Sequence, residues 1–145
     1  MGDYKKYPNT AGDITTALPE DVPNAVRALT EHFSALDSAD MYDVAEFHAE
    51  FEKIHPFYDG NGRICRLLML KICLQSDIVP FIITDQMKFF YYTGLKEWPV
   101  MQKYSRLIDV FLEAQDDMKA ALDYFRIDYD HTEVTSRELI NKRKI

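Results

Sequence analysis

With 24 acidic against 17 basic side chains in 145 residues, the chain carries a net charge of −7 and should form one domain. Such a surface argues against broad contact with nucleic acid or an anionic membrane. Hydrophobic residues make up 47%, enough for a packed core and too many for global disorder.

The elements read as mainly helical after a short non-helical start. Around Pro8-Asn9-Thr10-Ala11-Gly12-Asp13, a turn cluster, stand Tyr4 and Tyr7 on one side and Ile14, Thr15 and Thr16 on the other. A β-hairpin over about 4–18 fits; alone in water it would be marginal, so it must lie on the helical body. A helical core is expected from about 21 to 125. Asp21 is a candidate cap for a first helix, with Pro23 in its first turn and Val26, Leu29, Phe33 and Leu36 as its apolar stripe. A second helix runs from about Ala39 to Ile54 along Val44, Phe47, Phe51 and Ile54, and Pro56 ends it. The third starts near Asn61 or Gly62 and reaches about Ser76. Leu67, Leu68, Leu70, Ile72 and Leu74 make it apolar over much of its circumference, which predicts a central buried helix. A fourth helix capped by Asp85 runs to about Trp98, and a long fifth from about Val100 to Phe125. A tail over 131–145 carries a capping-box pattern from Thr135 to Glu138 and predicts a short last helix. No apolar run reaches ~18 residues and no signal peptide opens the chain, so a soluble, cytoplasmic protein is expected. Cys65 and Cys73 share one helix, too far apart to bridge along it, and read as reduced packing residues.

Between the second and third helices stands His55-Pro56-Phe57-Tyr58-Asp59-Gly60-Asn61-Gly62-Arg63-Ile64-Cys65-Arg66. Taken alone, Gly-Asn-Gly is a turn and two arginines three apart are a solvated helix face. Together they suit a nucleotide's phosphates at a helix N-terminus, beside a base and a carboxylate. Gly60 and Gly62 permit positive φ and close approach of backbone to ligand. The turn's N–H groups and the helix start favour anions. Arg63 and Arg66 can fork onto phosphate oxygens. Asp59 is a hard oxygen ligand suited to Mg²⁺ shared with phosphates. His55 in its neutral form can accept a proton. At a helix C-terminus the dipole would favour its charged form, while Arg63, Arg66 and Mg²⁺ would oppose it.

This stretch resembles the signature of the Fic family, H-x-F-x-[D/E]-G-N-G-R-x-x-R. His55, Phe57, Asp59, Gly60, Asn61, Gly62, Arg63 and Arg66 fill every specified position. The resemblance runs from about Tyr4 to about Tyr129 and includes Pro80-Phe81-Ile82-Ile83. It implies a mainly α Fic-type helical bundle with a small N-terminal hairpin, as a domain over 1–130. It implies transfer of AMP from Mg-ATP to a Tyr, Thr or Ser hydroxyl of a target protein, with pyrophosphate released. Gly62 is usually lost in the Doc branch, which phosphorylates its target; its presence favours nucleotidyl transfer. Alternatives are removal of AMP, transfer of another nucleotide or phosphate-linked group, and an inactive module that binds nucleotide or a partner.

By the same resemblance His55 is the base, Gly60, Asn61, Gly62, Arg63 and Arg66 hold phosphates, Asp59 holds the metal and Phe57 anchors the loop. The hairpin is then the flap, whose Ile14, Thr15 and Thr16 would pair with the target's acceptor segment. Tyr91 and Tyr92 are candidate contacts of the adenine, with core packing the competing role of one of them. His32 and His48 read as packed or surface histidines and His131 as an exposed tail residue. Many relatives restrain the second motif arginine, here Arg66, through a helix with the pattern [S/T]-x-x-x-E-[G/N]. No such pattern occurs: Thr16 and Glu20 are followed by Asp21, and Val134 stands where Glu138 would need Ser or Thr. An upstream segment or a separate inhibitory protein is therefore expected to supply any such restraint.

Overall fold

The structure, a computed structural model, describes residues 2–129 and 136–144. Two short strands, β1 (Thr10–Ala11) and β2 (Ile14–Thr15), pair antiparallel with Thr10 opposite Thr15 and Ala11 opposite Ile14. Gly12 carries the turn at φ 59°, a conformation that costs glycine little. Six α-helices follow: α1 (Val22–Ser34), α2 (Met41–Ile54), α3 (Asn61–Gln75), α4 (Lys88–Met101), α5 (Arg106–Tyr124) and α6 (Ser136–Lys144). The mainly helical architecture with a small hairpin is the one expected.

The centre of the molecule is α2, not α3. Buried residues on α2 point in two directions. Met41, Val44, Ala45 and Ala49 join the larger core with Met69 and Cys73 of α3, Tyr91, Leu95 and Trp98 of α4, and Leu107, Ile108 and Phe111 of α5. Phe47, Phe51 and Ile54 join a smaller core with Val22 and Leu29 of α1 and Cys65 of α3. The expectation of a fully buried α3 fails because Leu67 (66% exposed), Leu70 and Leu74 face outward. Helical spacing records apolar positions without saying whether a neighbour covers them. With Pro80, Phe81, Ile82 and Met118, Leu67 and Leu70 line a cavity of about 620 Å³ that Arg63 and Arg66 also border.

Local chemistry sets the boundaries. Asp40 begins α2 with a reciprocal capping box: its carboxylate accepts from the Asp43 N–H, and the Asp43 carboxylate accepts from the Asp40 N–H. Asp21 precedes α1 without a side-chain capping bond, and a 3-10 turn over Pro19–Asp21 leads in. Asp85 likewise opens a 3-10 turn, Asp85–Met87, and pairs with Lys88 at 2.8 Å. The junction between the fourth and fifth helices lies later than expected. Pro99 is held within α4, where it lacks an N–H to donate. Gln102, at φ 44°, then breaks the direction, and α5 starts only at Arg106, after an extended Ser105. There α4 and α5 touch through backbone: a Cβ on Gly94 would stand 2.2 Å from the Leu107 nitrogen.

The last helix is part of this body. Ile140 is fully buried in the larger core, and the Arg143 guanidinium lies 2.8 Å from the Asp40 carboxylate and over the Tyr42 ring. The tail expectations for His131 and for Thr135 as a cap lie outside the described residues. Among those described, no helix is long and apolar enough to cross a membrane.

Candidate functional site

His55 caps the C-terminus of α2 in the left-handed conformation, φ 46° and ψ 62°, with its N–H still bonded to the Phe51 carbonyl at 2.9 Å. A non-glycine residue in this region is uncommon and turns the chain sharply out of the helix. Its ring is mostly covered, and burial first, then the Lys5 charge, hold its pKa below the ordinary 6.5. Neither the helix dipole nor the motif arginines but burial and Lys5 set the direction of the shift, which favours the neutral imidazole, the form a base requires.

The loop from Phe57 to Gly60 is tied by one side chain. Asn61 is buried; its Oδ1 accepts from the Phe57 N–H at 2.9 Å and its Nδ2 donates to the Phe57 carbonyl at 2.8 Å. The side-chain amide of Asn61 therefore shapes the loop, while the backbone N–H groups at the start of α3, its own included, remain for an anion. Gly60 stands at φ 81° as the residue before α3. Gly62 does not adopt positive φ; it lies within α3. What it supplies is clearance, since a Cβ there would stand 3.1 Å from Arg66 Nη1. Asp59 is exposed, its Oδ1 accepting from the Gly60 N–H at 2.7 Å and its Oδ2 lying 3.4 Å from Arg63 Nη2. Arg63 and Arg66 are both exposed on α3 beside this turn. Phe57 is half-buried against the smaller core and against Tyr4.

The hairpin is docked on the same loop through residues that sequence patterns did not single out. The buried Lys5 ammonium donates to Asn9 Oδ1 (2.7 Å), Thr16 Oγ1 (3.0 Å) and the Ile54 carbonyl (3.1 Å). Asn9 Nδ2 donates to the Phe57 carbonyl at 3.0 Å, and the Lys5 N–H to that of Pro56 at 2.8 Å. Thr16, expected on the target-facing flap, is turned inward: it is buried and its hydroxyl donates to Asn9. Ile14 packs on the larger core, which leaves Thr15 as the exposed member of the three. Lysine so close to the chain start reads as a surface residue; only the fold shows that three acceptors converge on it.

Behind His55 lies a buried polar group. Glu52 Oε2 is 3.5 Å from His55 Nδ1. Cys65 Sγ is 3.4 Å from His48 Nδ1, and His48 Nε2 meets the Tyr91 hydroxyl. Burial pushes His48 down to about 3 and lifts Glu52 above the usual carboxylate range, Arg66 partly opposing the latter. The nitrogen, oxygen and sulfur of His48, Glu52 and Cys65 lie within 4.8 Å of one another, but both His48 nitrogens already have protein partners. Tyr91 is therefore in the core rather than at a ligand, while Tyr92 is exposed beside it on α4. His32 is exposed on α1.

Comparison with known proteins agrees with this geometry. The Fic/DOC family model matches residues 1–73, half of the chain. A protein adenylyltransferase Fic of Nematostella vectensis is 31% identical over 99 residues, covering 66% of this chain and 23% of that protein. One of the same name from Drosophila persimilis is 40% identical over 98 residues, 66% of this chain and 19% of that protein. The chain thus spans about a quarter or less of these relatives. A Fic domain containing signaling protein of Bacteroides thetaiotaomicron shares the fold at a TM-score of 0.60 and 24% identity, over 98% of this chain and 52% of that one. A Fic family protein of Desulfovibrio desulfuricans matches at 0.60 and 25%, over 79% and 37%. On the motif, the fold and these matches, the chain belongs to the Fic/DOC family.

Proposed function

We propose that this chain is a protein adenylyltransferase that transfers AMP from Mg-ATP to a Tyr, Thr or Ser hydroxyl of a target protein. The observation that carries this reading is a largely covered His55 standing beside a turn that opens into α3 with Arg63 and Arg66 exposed on it. The N–H groups at the start of α3 and the two guanidiniums bind the phosphates, Arg66 orienting the leaving group. Asp59 fits the metal: a single exposed carboxylate is a hard donor that suffices for Mg²⁺ only together with phosphate oxygens, which is how Mg²⁺ is commonly held. Bound there, the cation would neutralise phosphate charge.

His55 removes the proton of the target hydroxyl. The hydroxyl oxygen attacks the α-phosphorus, the bond to the β-phosphate oxygen breaks, and pyrophosphate leaves with the electron pair. The protein's share is positioning and electrostatics rather than covalent chemistry. The exposed outer edges of the hairpin, with Thr15 on β2, would add the target's acceptor strand.

The test is incubation with ATP, GTP, CTP and UTP, each labelled at the α-phosphate, plus cell lysate. ATP should label protein with the wild type and not with His55→Ala, a loss of ~10²–10⁴-fold for a missing base. Isothermal titration should show Mg²⁺-dependent ATP binding that weakens in Arg66→Ala and Asp59→Ala and changes little in His55→Ala. Equal labelling by the His55→Ala variant would remove the base from this reading.

A further inference from the structure

We infer that Glu52 is a positioning residue for His55: its carboxylate accepts from Nδ1–H and so leaves Nε2 as the atom that takes the target's proton. This rests on the reading of His55 as the base.

Glu52 precedes His55 by three residues on α2, so both side chains share one face at the helix's C-terminal end. Both side chains are largely covered, at 9% and 18% exposure. Nδ1 of His55 is buried and, among the described residues, has no hydrogen-bond partner. A buried ring nitrogen without a partner calls for a physical reason. Glu52 Oε2, 3.5 Å away, is an acceptor a few tenths of an ångström beyond a formed bond. Were Nδ1 the unprotonated nitrogen, its lone pair would face a carboxylate oxygen across that gap. Protonated, it faces an acceptor. Catalytic hydrogen bonds are often long without substrate and tighten when substrate binds.

Among the described residues no backbone carbonyl is hydrogen-bonded to Nδ1, and that of His55 itself faces Asn9 Nδ2 at 3.4 Å. The surrounding charges are also placed. Lys5 stands on the hairpin side with its ammonium bonded to three oxygens. Arg66 of α3 acts on Glu52 from the phosphate side and keeps part of its acidity. The Cys65 thiol and the neutral His48 lie on the core side of the carboxylate. Glu52 therefore sits where a change in its charge reaches the base, on the side away from the target hydroxyl. Histidine bases elsewhere are oriented the same way by a carboxylate behind the ring.

The experiment is nitrogen NMR of the imidazoles in the ¹⁵N-labelled full chain, with His55 assigned by subtraction against His55→Ala. It is paired with AMP transfer rates in lysate and Mg-ATP titration. In the wild type at pH 7, His55 should be mainly the Nδ1–H form. Glu52→Ala should move it toward the Nε2–H form that free imidazole prefers. Its transfer rate should fall roughly 10–100-fold, less than or comparable to loss of the base, with Mg-ATP affinity within about twofold. Glu52→Gln, which keeps an acceptor oxygen in place, should retain the Nδ1–H form and recover most of the rate lost in the alanine variant. An Nε2–H form in the wild type, or an unchanged tautomer in Glu52→Ala, would overturn the inference. The tautomer reading stands apart from activity: if His55→Ala transferred AMP normally, the base assignment would fail while the spectrum still decided what Glu52 does.

Discussion

Truncating Asn61 tests whether one amide sets the shape of the phosphate turn. In Asn61→Ala the Phe57 N–H loses its acceptor at 2.9 Å and gains none. The Phe57 carbonyl loses the amide donor at 2.8 Å but keeps Asn9 at 3.0 Å. An orphaned, partly covered N–H costs ~1–3 kcal/mol and a bond lost from a still-paired carbonyl ~0.5–1.5 kcal/mol, so the sum is roughly 1.5–4.5 kcal/mol. For a chain of this size that corresponds to a melting point lower by roughly 4–15 °C. Urea unfolding followed by fluorescence of the buried Trp98 measures it, with an unchanged slope showing that the folded body persists. Mg-ATP affinity should fall more than about tenfold, since ~1.4 kcal/mol of loop ordering would then fall on the binding step. Asn61→Asp separates the two effects. It keeps the acceptor for Phe57 and places a negative charge at a helix start, so it should destabilise less than alanine while still weakening ATP binding. An alanine variant that melts with the wild type and binds ATP equally well would refute the argument.

His48 makes stability depend on acid: folded it titrates at about 3, unfolded near 6.5, so the unfolded state holds the extra proton between those values. Stability should therefore fall as pH drops below 6.5, by up to about 1.4 kcal/mol per pH unit from this group, and the urea midpoint of His48→Gln should fall less steeply. Because burial and Lys5 hold His55 below its ordinary value, transfer by the wild type should fall as pH drops and the base is protonated, with its half-point below that of a free imidazole. Gly94→Ala should cost ~1–3 kcal/mol or more, because the added carbon meets Leu107 backbone at 2.2 Å; an unchanged midpoint would mean α4 and α5 can part freely. Gly62→Ala meets only the tip of Arg66, so its midpoint should stay within about 1 kcal/mol while ATP affinity drops severalfold.

What could be read from the residues alone follows from range along the chain. The motif turn and the order of helices depend on neighbours a few residues apart, and they appear in the structure near where spacing placed them; the hairpin is tighter than read, its first strand, Thr10–Ala11, lying inside the expected turn cluster. The contacts that complete the site do not. Lys5 reaches the Ile54 carbonyl and Asn9 the Phe57 carbonyl across nearly fifty residues, and no local pattern signals either. Glu52 was readable in principle, as an acidic residue three positions before the base on a helix, but such a residue usually faces solvent. Thr16 and Asn61 read as ligand contacts by position; the structure shows in addition that their side chains bond the protein itself, a long-range or loop-closing role that position does not reveal. For Leu67 and Leu70, apolar periodicity could not tell a covered face from an open one.

The hairpin divides into two kinds of residue, with a consequence for how such a fold diversifies. Lys5, Asn9 and Thr16 bolt it to the chain around His55, whereas Gly12 and Thr15 are exposed at its far end, where Asp13 pairs with Lys96 of α4 at 3.6 Å. Substitution at the tip leaves the bolts untouched. Under the proposed function, a lineage could thus exchange one target for another by drift at the tip alone, while the distance from the hairpin to His55 is inherited unchanged.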